Sequence, residues 1–86
     1  MTLRVLVVDD HPAILQHVST WVGATDVAEV VGTASLPDDA MALFDVLQPD
    51  VTLCDVHMPQ VDGFDLCRRL LAHRSDAAVL LFSARD

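Results

Sequence analysis

Strand-length apolar runs that stop at an oxygen-bearing side chain constrain what this chain can fold into. Leu3 to Val8 runs into Asp9-Asp10, Val51 to Cys54 runs into Asp55, and Ala77 to Phe82 runs into Ser83. The first run is almost continuously β-branched or aliphatic, as in a strand covered on both faces, which is how strands of parallel sheets are buried. Open parallel sheets bind ligands in the crevice outside the carboxyl ends of their strands. Aspartates at those tips are therefore placed for chemistry, with a hydroxyl close by.

The stretches between the runs read as helices. Pro12 suits a first helical turn, and Ile14, Leu15, Val18, Trp21 and Val22 recur at helical spacing before Gly23, which predicts a helix over Pro12 to Val22. Val27 to Ala34 is a further strand, and Glu29 within it suits an edge position. Ser35 and Asp38 resemble a capping box for a helix whose stripe is Leu36, Ala40, Leu43, Phe44 and Leu47, ended by Gln48-Pro49-Asp50. After Asp55, Gln60-Val61-Asp62-Gly63 is a turn with Asp62 as N-cap. Phe64, Cys67, Leu70 and Leu71 then form the apolar face of a third helix, with Arg68 and Arg69 solvated. The pattern is βαβαβαβ with short connections, and right-handed crossovers place helices on both faces of a parallel sheet.

Charge narrows the function classes. Thirteen acidic residues face five basic ones, all arginine, for a formal net charge of −8. Phosphate backbones are bound through basic patches, so this segment is not expected to bind nucleic acid. No apolar run approaches the ~18 residues of a membrane span, and there is no secretory h-region. Cys54 and Cys67 form no disulfide framework and point to a reducing, cytoplasmic setting. A zinc site from Cys54, His57 and Cys67 lacks paired C-x2-C spacing and is rejected.

Asp9, Asp10 and Asp55 are expected to converge at one end of the sheet. Two ionised carboxylates ~4 Å apart repel by roughly 4 kcal/mol at an effective dielectric near 20. A hard divalent cation removes that conflict, and a few carboxylate oxygens suit magnesium. An aspartate held beside such an ion is equipped to accept a phosphoryl group, with Ser83 able to donate a hydrogen bond to the new phosphoryl oxygens. Met58 is expected to pack beneath the loop, while His11, His17 and His73 carry no signal above background.

Val5-Leu6-Val7-Val8-Asp9-Asp10-His11-Pro12, Val51-Thr52-Leu53-Cys54-Asp55-Val56-His57-Met58-Pro59 with Asp62-Gly63, and Leu80-Leu81-Phe82-Ser83-Ala84 together resemble the receiver domain of two-component response regulators. The resemblance spans residues 1–86 and implies a flavodoxin-like α/β fold of strand order 2-1-3-4, with the family's final α4-β5-α5 portion absent. It implies that Asp55 accepts a phosphoryl group from a sensor histidine kinase. It also implies that Asp9, Asp10 and Asp55, with the backbone carbonyl of His57, hold Mg2+, and that Ser83 turns toward the phosphoryl group. The acidic pair followed by His-Pro is similar to regulators that carry a C-terminal helix-turn-helix DNA-binding domain, hence transcriptional output in the cytoplasm.

The sequence departs from the family in having no lysine, whereas the family's phosphoryl-pairing lysine ends the fifth strand. Strand four then becomes an edge whose Val79, Leu80, Leu81 and Phe82 lose cover, and self-association through that edge is expected. A phosphorylation-independent dimerisation module is the alternative reading. A turnover hydrolase working through an aspartyl-phosphate is disfavoured, because the place of its second aspartate holds His57.

Overall fold

Residues 2–58 and 62–83 are described by a computed structural model. Pro59, the Gln60-Val61 half of the expected turn, and Ala84 lie outside the described residues. The elements follow in the order β1 (Leu3–Val8), α1 (Pro12–Gly23), β2 (Ala28–Ala34), α2 (Pro37–Leu47), β3 (Val51–Asp55), α3 (Gly63–His73) and β4 (Ala78–Phe82). All pairings are parallel, and the sheet order is β2-β1-β3-β4. The expected order and the edge position of Glu29 are thus both observed.

Burial follows the order. Val5 to Val8 on β1 are buried, as are Thr52, Cys54 and Asp55 on β3, while the edge strands are mostly half-exposed. Side chains alternate across a strand. Leu6, Val8 and Cys54 therefore share one face, where they join Ala40 and Phe44 of α2, Leu66 and Leu70 of α3, and Met58 from the loop after β3. Val5 and Val7 point to the opposite face, which right-handed connection assigns to α1. That helix contributes no buried residue, and Trp21 is 75% exposed.

The end of the sheet away from the strand tips is tied by arginines. Gln48 adopts a left-handed conformation (φ 47°) that closes α2, and Arg4 donates to the carbonyls of Leu47 (2.6 Å) and Gln48 (3.2 Å) just there. Carbonyls at a helix C-terminus lack intrahelical donors, so a guanidinium satisfies them and complements the helix dipole. Asp50 and Arg4 bond reciprocally, Asp50 N–H to Arg4 O and Arg4 N–H to Asp50 Oδ2, each at 2.8 Å. Arg74 donates to Pro49 O and lies 4.8 Å from the centre of the Phe44 ring.

Two local expectations change. The Ser35–Asp38 capping box does not form: the N-cap of α2 is Leu36, with no side-chain cap, because helix entry falls at Pro37, and Asp38 and Asp39 face the helix N-terminus instead. Asp62 does cap α3, accepting from Asp65 N–H at 2.7 Å. The buried face of α3 is Gly63, Leu66 and Leu70, however, leaving Phe64 58% exposed and Leu71 outside the core.

Gly63 explains the rotation of that face. Its N–H donates to Val56 O at 3.1 Å, and a Cβ there would stand 2.6 Å from the Val56 Cα and collide with the Asp55 carbonyl. The obstacle is backbone and cannot swing aside. Gly63→Ala is accordingly expected to lose roughly 1–3 kcal/mol, the range for forced overpacking, and to push α3 off the Asp55 loop. Urea unfolding of the two proteins checks this.

Candidate functional site at the strand ends

Strand register assembles the site. Val8 pairs with Cys54, so the next residues, Asp9 and Asp55, stand level on the two central strands. Asp55 pairs with Phe82, and Val56 N–H donates to Phe82 O at 3.0 Å, which brings Ser83 to the same end. Each central aspartate also ends its strand in the same way. Asp9 Oδ1 accepts from His11 N–H at 2.9 Å, and Asp55 Oδ1 accepts from His57 N–H at 3.0 Å. An aspartate bonded to the backbone two residues on is a common turn device. That device alone would give both residues a purely structural role.

The remaining oxygens argue otherwise. Asp9 and Asp55 are completely buried, and among the described residues Asp9 Oδ2 is a buried side-chain atom without a hydrogen-bond partner. Burial pushes the Asp9 carboxyl above its usual value of 3.8; the His11 N–H opposes this, and the charges of Asp55 and Asp10 push it further up. A carboxylate that is desolvated, crowded by like charge and missing a donor is one that a cation would satisfy. Magnesium fits this oxygen-only donor set.

Among the described residues one tight group of possible ligands exists: Asp9, Asp10 and His11, with ligand atoms all within 4.8 Å of one another. Asp55 lies outside that group, though near enough to raise the Asp9 pKa electrostatically. His57 is exposed, with its backbone beside the Asp55 carboxylate, and Ser83 is exposed at the end of β4. His11 is the residue that sequence pattern passed over. Its position directly after two aspartates and before a helix-starting proline was the available signal. Cys54, by contrast, behaves as a core hydrophobe: burial, then the nearby Asp55 charge, pushes its thiol up to about 12, so it offers no thiolate for a metal.

The Asp9 shift carries a pH signature. A carboxyl whose folded pKa is raised stabilises the fold below its ordinary range, and that contribution is lost as pH rises through the folded value. Asp9→Asn, neutral at every pH, is therefore expected to melt higher than the parent at pH 7 without divalent ions. The difference should shrink on acidification toward the ordinary value of 3.8. Thermal melts across pH with chelator present check this; an Asp9→Asn protein that melts lower would contradict the assigned repulsion.

A family model described as "Response regulator receiver domain" matches residues 5–86. The chain belongs to that family. The receiver is 34% identical to the solved receiver domain of the putative response regulator NarL from Mycobacterium tuberculosis, with a TM-score of 0.88, covering 99% of this chain and 68% of that one. It is 34% identical over 82 residues to the DNA-binding transcriptional activator DevR/DosR of Mycobacterium tuberculosis, covering 95% of this chain and 38% of the relative. It is also 35% identical over 81 residues to a protein-glutamate methylesterase/protein-glutamine glutaminase of Bradyrhizobium diazoefficiens, covering 94% of this chain and 20% of the relative. The receiver thus spans well under half the length of these curated relatives, whose names carry very different outputs. Among its described residues no helix is long and apolar enough to cross a membrane.

Proposed function

We propose that this receiver of a two-component system accepts a phosphoryl group on Asp55 from a sensor histidine kinase, with Mg2+ at Asp9 and Asp10. The observation that carries the reading is the juxtaposition of buried Asp55 with Asp9, whose buried Oδ2 lacks a partner among the described residues. An Asp55 carboxylate oxygen attacks phosphorus as the phosphorus–nitrogen bond of the kinase phosphohistidine breaks, its electron pair returning to the imidazole. Bound magnesium supplies charge neutralisation for the transferred oxygens. Asp9, Asp10 and the His57 carbonyl, with Asp55 itself, hold that ion; Ser83, one residue past the strand partner of Asp55, donates its hydroxyl to the phosphoryl group. The domain is phosphorylated once per signal and is not itself a turnover enzyme.

The output proposed is transcriptional regulation in the cytoplasm, on the strength of relatives such as the DNA-binding activator. With a net charge of −8 the receiver is not the DNA-contacting part. Self-association through β4 belongs to the same proposal. Leu80 on that edge is 57% exposed, and a groove of about 430 Å³ between α1 and the end of β4 is lined by Ile14, His17, Val18, Trp21, Phe82 and Ser83. Sedimentation showing a strictly monomeric, folded chain at high concentration would count against it.

Incubation with a small acyl phosphate donor and magnesium tests the phosphorylation. The expected result is a mass gain of one phosphoryl group that disappears with chelator. No gain in the receiver within its full-length protein would favour the alternative, a phosphorylation-independent dimerisation module.

A further inference from the structure

We infer that the strand-end cation site has a nitrogen arm, His11, and so also takes a nitrogen-preferring divalent ion such as Co2+, Ni2+ or Zn2+. The inference rests on the proposed cation site only in that the same acidic pair holds the ion. His11 Nδ1 lies 3.2 Å from Asp10 Oδ1 and 3.5 Å from Asp9 Oδ1. Ligands at right angles around an octahedral ion with bonds of about 2.1 Å stand about 3 Å apart. Around tetrahedral zinc they stand about 3.4 Å apart. The imidazole nitrogen, which is hydrogen-bonded to Asp10 Oδ1 from its place at the N-cap of α1, is thus already at ligand-to-ligand distance from two carboxylates. Asp9 Oδ2, buried and without a hydrogen-bond partner among the described residues, marks that carboxylate as short of a positive partner.

Chemistry separates the ions. Magnesium favours oxygen, so the imidazole adds little to its binding, whereas imidazole suits nickel and zinc, and cobalt stands near them in the affinity series. Access agrees with this division. Asp9 is fully buried, while the side chains of Asp10 and His11 are 21% and 48% exposed and form the rim that an ion crosses. His11 would therefore set which metal the receiver holds when several compete, a role separate from accepting the phosphoryl group.

Calorimetric titration with MgCl2 and with CoCl2, for the parent chain and for His11→Ala, Asp10→Asn and His17→Ala, tests this at a single pH. His11→Ala is expected to lose about tenfold or more in Co2+ affinity, the lower end of what even outer partners of a metal site contribute, with Mg2+ affinity unchanged. Asp10→Asn should weaken both ions and His17→Ala neither. The visible absorption of the Co2+ complex should change on losing the nitrogen in His11→Ala. Co2+ affinity and spectrum unaltered in His11→Ala, or lost equally in His17→Ala, would overturn the inference while leaving the magnesium site standing. Failure of the parent chain to bind either ion would instead bring down the cation site of the proposed function, and the inference with it.

Discussion

Asp55→Asn is expected to take up no phosphoryl group from a small phosphodonor under conditions that label the parent protein. The loss should be complete, because an amide oxygen is not an effective nucleophile toward phosphorus and no other carboxylate ends β3. Folding should survive. Asparagine keeps the size of the side chain and an oxygen to accept from His57 N–H, now 3.0 Å from Oδ1. It also removes one negative charge from the surroundings of Asp9, where the Asp55 charge acts to raise the pKa. Intact mass after incubation and a thermal melt of the same sample check both halves. A mass gain equal to that of the parent would place the acceptor elsewhere.

Phe44→Ala is expected to remove a large share of the stability of the domain. Phe44 is 1% exposed and joins α2 to the buried face of the sheet, among Leu6, Leu66, Leu70 and Cys54. Truncating a buried phenylalanine to alanine typically costs about 3–5 kcal/mol, the lost transfer energy plus the cavity left behind. Folded domains have about 5–15 kcal/mol in total. The Arg74 guanidinium would also lose the ring beneath it, although it keeps its bond to Pro49 O at 2.7 Å. At roughly 4–8 °C per kcal/mol for a domain of this size, the melting point should fall by tens of degrees. Phe44→Leu, which retains most of the volume, should lose far less. Similar melting points for Phe44→Ala and the parent would mean that the α2 face contributes little.

Much of this architecture could be read from residue order because the strands are short, apolar and sharply ended. Leu3–Val8 and Val51–Asp55 became the two central strands, and Glu29 correctly placed β2 at an edge. Helix faces were harder to read. Apolar residues at 64, 67, 70 and 71 make as good a stripe as 63, 66 and 70, and the choice is made by the contact of Gly63 with the Asp55–Val56 backbone, which no period reveals. The stripe of α1 was read correctly as a pattern, yet its Trp21 remains exposed, since a stripe shows which side is apolar and not whether anything covers it. At the site, Asp9, Asp55 and Ser83 came to one end as the strand logic required. His11 was missed because a histidine beside acids has no spacing signature of its own; only the turn that folds its backbone onto Asp9 Oδ1 brings the ring to the cluster.

Of thirteen acidic residues, one carboxylate is proposed to carry the phosphoryl group, as an acyl phosphate. Borohydride reduction of the phosphorylated protein, followed by peptide sequencing, tests it most directly, because an acyl phosphate is reduced to the corresponding alcohol and leaves homoserine in place of the modified aspartate. Homoserine is expected at position 55 and nowhere else. Homoserine at position 9 or 10, or a phosphoryl group that resists borohydride, would contradict it.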